Sequence, residues 1–374
     1  MKKIFILTPV YILFFLLGDI FFSNFIYKEN INHNCYKYLS GFHHLKKNCH
    51  AKEKWLKNIV SYDVYTDGDG YRIPNNKKNN KKNGNIAIFL GGSFTYGMGL
   101  KYEKSFVGLI DNKTEKYSIK NLGVAGYSPT VFSYQLDKLI KKNIKSKKIF
   151  ITLDIIDVSN EAKGWIYNKK FDHPVRLLTK DIQNLNDGKK KETGFKSFKN
   201  NNLKATRIIA RYINNSLRNL RYNFSQFQLK TKNKIPGKSP GKSGWGDFLY
   251  TNIENTNLDH WSPVGFNKTI SIIKNEYKKI GKLSKKIDSE LYIIIYPWPD
   301  TLFFGQEVFN WESFGNELCL LSECNKLISL FPELEKVKAQ NTDWLTKLFN
   351  ENDLHLTSFG QEIIAKKVLK EGFY

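Results

Sequence analysis

The chain has 374 residues, and its 41% hydrophobic and 14% aromatic content excludes an intrinsically disordered protein. That length buries a substantial core in one large or two smaller domains. The formal net charge is +24, which favours anionic glycans or membrane surfaces as partners, although the abundance of Lys, Asn and Ile is also typical of an AT-rich coding bias.

The first 27 residues predict a membrane anchor. Lys2 and Lys3 precede an uncharged run over 4–18, and the apolar character continues past Asp19. This length spans a bilayer, and no small-x-small cleavage site ends it. We predict an uncleaved signal anchor over 1–27, with the N-terminus in the cytoplasm and the body in the periplasm or outside, so that nucleic acid is no partner. A cleaved signal peptide and a buried core helix are the alternatives.

Residues 28–84 predict a membrane-proximal linker and a lead-in to the folded body. The part up to residue 60 is basic and contains His and Cys. A turn-rich segment with Gly70-Tyr71-Arg72 follows, and residues 75–85 are Lys, Asn and Gly alone, which predicts a solvated loop.

The four cysteines form two sequence-local pairs. In an exported chain this favours the disulfides Cys35–Cys49 and Cys319–Cys324, while other pairings stay open. Four histidines surround the first pair: His33, His43, His44 and His50. Their spacing fits no zinc pattern, and we predict no metal site.

The segment 86–99 contains the candidate nucleophile of the chain. Its five apolar residues Ile86–Leu90 predict a strand buried on both faces. Gly91-Gly92-Ser93 then follows at the carboxyl end of the strand, where open α/β sheets place their ligands. Glycines beside a serine permit a tight turn that presents the hydroxyl, so the segment holds either a nucleophile or an ordinary polar turn.

Strand and helix patterns alternate after this turn. The predicted strands are 117–122, 148–153 and 290–296, and the predicted helices are 105–110, 131–142, 264–288, 334–349 and 358–370. A large insertion at about 159–259 interrupts them. The alternation predicts an α/β domain over 85–374, with a parallel sheet and right-handed crossovers.

Asp353-Leu354-His355 supplies what a reactive serine needs. The hydroxyl needs a base to take its proton, and the base needs a third group to fix its tautomer. The fold can return His355 to Ser93 while Asp353 orients the imidazole. Taken alone, a histidine before a helix is more often a surface or capping residue.

Together these segments resemble the SGNH/GDSL hydrolase superfamily. The first family block, Gly-Asp-Ser, matches Gly91-Gly92-Ser93, the second matches Asn121–Gly126, and the last matches Asp353-Leu354-His355. The single residue between Asp and His resembles the branch that acetylates extracellular polysaccharides, such as the alginate O-acetyltransferases. Gly70-Tyr71-Arg72 is similar to a motif that precedes the serine strand in SGNH acyltransferases. The resemblance implies a three-layer α/β/α domain.

The resemblance also implies roles for individual residues. Ser93 is the nucleophile, His355 is the general base and acid, and Asp353 orients the histidine. The N–H groups of Ser93 and Gly126 bind the oxyanion. No cofactor is implied.

The chain departs from the family pattern at two positions, Ile156 in the third block and Gly92 in the first; the third block, Gly-x-Asn-Asp, falls on Leu153–Asp157. Ile156 occupies the position of an Asn whose side chain donates to the oxyanion, and losing such a donor costs on the order of 3 kcal/mol. The backbone donors suffice, or Asn160 or another group replaces it, or the site is weak. Asp157 matches the second Asp as a supporting residue, and Gly92 lacks the side chain of the family Asp.

The implied activity is acyl transfer through an acyl-serine. Export, the anchor and the one-residue spacing favour O-acylation of a cell-envelope or extracellular polysaccharide at the inner membrane, with a membrane acyl-carrier protein as candidate donor. A plain periplasmic carbohydrate esterase is one alternative. A catalytically degenerate glycan-binding or assembly subunit is the other, and Gly92 and Ile156 favour it.

Overall fold

A computed structural model describes residues 14–22, 34–39, 41–55, 60–75, 85–176, 206, 263–306, 309–350 and 355–374. The chain divides into two compact units, one formed by 1–31 with 183–240 and the other by 32–182 with 241–374. In the first unit, residues 14–21 are helical and the Asp19 carboxylate accepts a hydrogen bond from the Thr206 backbone N–H at 2.8 Å.

Most of the predicted anchor, residues 1–27, lies outside the described residues. Among the helices that are described, none is both long and apolar enough to cross a membrane. The anchor therefore stays a prediction.

The second unit contains the strands and helices of the fold. The strands are β1 (Tyr36–Leu39), β2 (Phe42–Leu45), β3 (His50–Trp55), β4 (Val60–Thr66), β5 (Arg72–Ile73), β6 (Asn85–Leu90), β7 (Tyr117–Asn121), β8 (Lys148–Leu153), β9 (Trp165–Asn168), β10 (His173–Arg176), β11 (Glu290–Ile295) and β12 (Lys326–Ser329). The helices are α1 (Ser93–Tyr96), α2 (Phe106–Lys113), α3 (Pro129–Lys141), α4 (Ile155–Ala162), α5 (Phe266–Lys286), α6 (Pro299–Phe304), α7 (Trp311–Ser322), α8 (Phe331–Gln340), α9 (Trp344–Leu348) and α10 (Ser358–Gly372).

The centre of the main sheet is parallel, as predicted. Its strand order is β12-β11-β8-β6-β7, and every pair within this run is parallel. The chain moves in one direction from β6 to β7, then crosses β6 to reach β8 and continues to β11 and β12. The strand order therefore reverses between β6 and β8, and such a reversal opens a crevice at the carboxyl ends of the strands.

Helices cover this sheet on both faces. Right-handed crossovers in opposite directions place α2 on one face and α3, α5 and α7 on the other. The contacts agree, since α5 packs against α3, α4 and α7 while α10 packs against α2. Between these layers the aromatic rings of neighbouring strands stack, with centroids 4.7 Å apart for Phe89 and Phe150 and 4.8 Å for Phe150 and Tyr292. The three-layer arrangement follows from this topology.

The described part of 28–84 corrects the predicted linker. Strands β3 and β4 are antiparallel, and β5 joins them to β7 where Arg72 pairs with Asn121, so the main sheet has eight strands. The burial pattern of β3 explains why these strands were not predicted, since Ala51 and Glu53 face inward and the residues next to them face solvent. This alternation is typical of a strand with one buried face, and the high Lys and His content hides it.

The structure differs in detail from two further predictions, the insertion and the helix over 334–349. The described start of the predicted insertion continues α4 to Ala162 and adds the β9–β10 hairpin, while 177–205 and 207–259 lie outside the described residues. The predicted helix 334–349 is two helices, α8 and α9, because the chain leaves helical geometry at Asn341. The short strand β12 was not predicted.

Both predicted disulfides are confirmed. The Cα atoms of Cys35 and Cys49 are 5.7 Å apart, and this bond encloses the β1–β2 hairpin. The Cα atoms of Cys319 and Cys324 are 4.8 Å apart, and this bond joins the end of α7 to the start of β12.

Candidate active site

Ser93 begins α1 immediately after β6, at the edge of the sheet where the strand order reverses. A side chain at Gly91 would overlap Thr95 and Thr152, and one at Gly92 would come within 2.6 Å of Asp157 Oδ1. Gly97 closes the four-residue helix with a left-handed φ of 80°. Only glycines therefore permit this tight turn, and it holds Ser93 at 8% exposure.

His355 meets Ser93 across 262 positions of sequence. Its Nε2 lies 2.7 Å from Ser93 Oγ, the separation of a nucleophile and its base. The backbone carbonyl of His355 accepts hydrogen bonds from the backbone and side-chain nitrogens of Asn350, each at 2.9 Å. The Thr357 side chain then caps α10 by accepting from the Gly360 N–H. Asp353 lies outside the described residues, and its role as orienter stays a prediction.

Two aromatic rings border the His355 imidazole. The Phe94 ring is stacked on it at 4.7 Å between centroids, and the Trp55 ring meets it edge-on at 5.3 Å. Phe94 is itself supported by Tyr296, at 4.8 Å. Stacked and edge-on contacts of this kind hold the imidazole ring in a fixed orientation. The sequence did not identify Trp55, since it lies in the predicted linker.

The Gly123–Pro129 turn lies beside Ser93. The Val124 N–H donates to the Gly91 carbonyl at 3.2 Å, which joins this turn to the serine turn. Gly126 has a left-handed φ of 80°, and a Cβ there would lie 2.9 Å from Arg176 Nη2. Within the described residues, no hydrogen bond uses the N–H of Ser93 or of Gly126. Both N–H groups are thus available to an oxyanion.

Asp154 and Asp157 form a reciprocal cap at the start of α4. Asp154 Oδ1 accepts from the N–H groups of Ile156 at 2.7 Å and Asp157 at 3.1 Å, and Asp157 Oδ2 accepts from the Asp154 N–H at 3.2 Å. Burial raises the pKa of Asp154, although the hydrogen bond from the Tyr296 hydroxyl, backbone N–H groups and the charge of His355 oppose the shift. The apolar Ile156 side chain packs against the core and donates nothing.

Asp157 explains the glycine in the first family block. Its Oδ1 lies where a Gly92 side chain would project, so one carboxyl already fills the space beside the serine turn. Burial, and then the charge of Asp154, raises the pKa of Asp157 well above its usual value. The shift favours the neutral form of this carboxyl, because two carboxylates buried in one capping box repel each other.

Asn160 is brought to the same edge by α4. Its side chain is 6% exposed, and Oδ1 accepts from Arg176 Nη2 at 3.5 Å. The same nitrogen donates to the Gly126 carbonyl. Because an amide carries its oxygen and its NH₂ group on opposite branches, this contact turns the NH₂ of Asn160 away from Arg176.

The Arg72 side chain supports the serine turn through hydrogen bonds to its carbonyls. Its side chain is buried, and its guanidinium donates to the carbonyls of Tyr96, Gly97 and Leu100, the second at 2.8 Å. It also lies over the Tyr96 ring at 4.6 Å. The Gly70-Tyr71-Arg72 motif thus has a physical role, since it satisfies three carbonyls where α1 ends. No group of three or more His, Cys, Asp or Glu among the described residues is placed to hold a metal ion.

Comparison with known proteins gives no family assignment. No family model matches the chain, and no curated protein matches it. Among solved structures, a lipolytic G-D-S-L family member from Veillonella parvula is 12% identical, with 77% of this chain and 97% of that chain covered and a TM-score of 0.41. For the acetylxylan esterase Axe2 from Geobacillus stearothermophilus these values are 10%, 78%, 95% and 0.38. Similarities of this size do not define a function for this chain.

Proposed function

We propose that this chain is an SGNH-type serine esterase or O-acyltransferase that acts on a cell-envelope or extracellular polysaccharide. The observation that carries the proposal is the 2.7 Å contact between Ser93 Oγ and His355 Nε2, at the sheet edge where the N–H groups of Ser93 and Gly126 make no hydrogen bond within the described residues. A hydroxyl, a base and backbone donors beside them are the parts that acyl transfer requires.

The reaction follows from these positions. His355 Nε2 takes the proton of Ser93 as Oγ attacks the ester carbonyl carbon, and the N–H groups of Ser93 and Gly126 bind the oxyanion. When the carbonyl re-forms, the bond to the alcohol breaks and His355 returns the proton to the leaving oxygen. The acyl-Ser93 ester is then attacked by water or by a sugar hydroxyl, again with His355 as base.

The choice of acceptor rests on the sequence. The predicted anchor and export place the site outside the cytoplasm, where a glycan is an abundant source of hydroxyls, and a membrane acyl-carrier protein is the proposed donor. The net charge of +24 favours an anionic glycan or membrane surface. A plain carbohydrate esterase uses the same site with water as acceptor. A degenerate binding subunit is favoured by Ile156 alone, since Asp157 accounts for Gly92.

The first test is hydrolysis of p-nitrophenyl acetate by the full chain, compared with Ser93→Ala and His355→Ala. We expect nitrophenol release, or a burst of it, that disappears in both variants. Equal release by all three proteins would place the activity elsewhere and refute this site. The control is the melting temperature of each variant, because loss of activity counts only where the fold is kept.

A second experiment separates transfer from hydrolysis. Adding an oligosaccharide to the acyl-enzyme should yield acylated sugar in competition with free acid if the chain is an acyltransferase. Free acid alone identifies an esterase. Glycan binding that survives Ser93→Ala, together with no turnover of any ester by the wild type, would support the degenerate binding subunit instead.

A further inference from the structure

The peptide between Ala125 and Gly126 is held from one side by a histidine. His43 Nε2 lies 2.7 Å from the Ala125 carbonyl oxygen. A trans peptide points its C=O and its N–H in opposite directions. The Gly126 N–H, which belongs to this same peptide, therefore points away from His43. Like the Ser93 N–H, it makes no hydrogen bond among the described residues.

The chemistry of the contact fixes the state of His43. A carbonyl can only accept, so Nε2 must carry the proton. Burial lowers the pKa of His43 from its usual 6.5 despite the Ala125 hydrogen bond, and the charges of Arg176 and His44 lower it further. The ring is therefore neutral at pH 7, with its one N–H committed to Ala125.

The surroundings of His43 keep the ring in place. The Tyr127 hydroxyl donates to the His43 carbonyl at 2.6 Å, and the centroid of the Tyr127 ring lies 5.4 Å from the imidazole. The Tyr36 ring lies 5.8 Å away on β1. The hairpin that carries His43 is thus tied to the Gly123–Pro129 turn by hydrogen bonds in both directions.

The peptide between Gly126 and Tyr127 is also held by a hydrogen bond to its carbonyl. Arg176 on β10 donates to the Gly126 carbonyl. Both carbonyls that flank the Gly126 α-carbon therefore accept a hydrogen bond from outside the turn. Fixed partners of this kind reduce the reorganisation needed when charge develops on a bound oxygen, and that is the basis of preorganised stabilisation.

We propose that His43 is a positioning residue of the oxyanion hole, which orients and polarises the Ala125–Gly126 peptide so that the Gly126 N–H donates to the oxyanion. A carbonyl that accepts a hydrogen bond makes the N–H of its own peptide a stronger donor. This strengthening offsets the donor that is missing at Ile156. The inference rests on the proposed acyl-transfer function.

Two substitutions separate the hydrogen bond from the packing. His43→Phe keeps an aromatic ring among Tyr36 and Tyr127 and removes the donor. His43→Gln keeps an N–H at the reach of Nε2 and removes the ring. With p-nitrophenyl acetate, we expect His43→Phe to lower kcat about tenfold with little change in KM, since a weakened donor costs less than the 10²–10³ of a lost one. His43→Gln should keep most of the wild-type kcat.

A transition-state analogue provides the readout that packing alone would not change. An alkyl boronic acid forms a tetrahedral adduct with serine, and its affinity should fall in His43→Phe by the same factor as kcat. A purely structural role would lower the melting temperature and impair both variants alike. If His43→Phe does not fold, His43→Met is the donor-free variant to compare with His43→Gln.

The outcomes distinguish this inference from the proposed function. An active wild type whose kcat and boronate affinity are unchanged in His43→Phe would overturn the role of His43 and leave the proposed function intact. A higher kcat in His43→Phe than in His43→Gln would also overturn the role of His43. A wild type that hydrolyses no ester and binds no boronate would refute the proposed function and this inference together.

Discussion

The two sides of the serine turn are built from different parts of the chain. On the reactive side, Ser93 from the parallel sheet meets His355 from the C-terminal end at 2.7 Å. On the supporting side, His43 and Arg72 come from the N-terminal strands and Arg176 comes from the β9–β10 hairpin. The parallel sheet and the C-terminal segment thus supply the atoms of the proposed reaction, and the added strands hold the turns around them. Substitutions on the reactive side should abolish the proposed activity, whereas substitutions on the supporting side should only reduce it.

The largest effect is expected on the reactive side. Ser93→Ala and His355→Ala should each lower kcat by about 10⁴-fold or more, and the double variant should be no worse than either single one, because the two residues act as a unit. Esterase kinetics on the three proteins check this. Additive losses would mean that Ser93 and His355 act in separate steps.

Introducing at Gly92 the Asp of the resembled Gly-Asp-Ser block should destabilise the serine turn. Gly92→Asp places a Cβ within 2.6 Å of Asp157 Oδ1 and adds a carboxyl to a buried site. We expect a loss of about 3 kcal/mol in the free energy of unfolding. Adding Asp157→Ala to Gly92→Asp should recover much of that loss, because the new side chain can then occupy the space of the Asp157 carboxyl with one buried acid fewer beside it. Denaturant titrations of the two single variants and the double variant measure this coupling.

The raised pKa of Asp157 predicts a pH dependence of stability. Its pKa in the folded protein is raised above the ordinary 3.8, so the stabilising contribution is complete below pH 3.8 and is lost as the pH rises through the folded value. Asp157→Asn keeps an oxygen for the Asp154 N–H and cannot ionise. It should melt higher than the wild type at pH 8, with an advantage that shrinks towards pH 4. An advantage that is constant with pH would refute the neutral carboxyl.

A smaller effect is expected at Trp55, where the two sides meet. Trp55→Leu removes the ring that packs edge-on against His355, and we expect a loss of about 1 kcal/mol in transition-state stabilisation, or roughly fivefold in kcat/KM, because the imidazole is held less firmly. Trp55→Phe should retain most of the activity. Esterase kinetics on the two variants measure this difference. An unchanged kcat/KM in Trp55→Leu would indicate that Trp55 does not position His355.

The sequence predicts the reactive side well because its signals are local. Strands buried on both faces appear as apolar runs, as in Ile86–Leu90 of β6, and the glycines that permit the serine turn are adjacent to it. The structure brings together Ser93 and His355, the residues that the resemblance pairs. Asp353 remains a prediction.

The supporting side could not be predicted in this way. Edge strands such as β3 alternate buried and exposed residues, and a lysine-rich surface conceals that alternation. His43 is one of several histidines in a basic stretch, and nothing near it in the sequence indicates that it reaches Ala125. Arg176 likewise acts across 50 positions, on Gly126. Contacts of this kind depend on the assembled tertiary structure.

The Cys35–Cys49 disulfide has a consequence for how this site tolerates change. It closes a loop of 14 positions that contains His43, and a cross-link of this size removes about 3 kcal/mol of conformational freedom from the unfolded chain. Leu39, at the exposed end of that loop, is therefore expected to tolerate substitution, whereas Tyr38 pairs with His43 across the hairpin. Covalent closure thus allows the end of the hairpin to vary in evolution while His43 keeps its contact with Ala125.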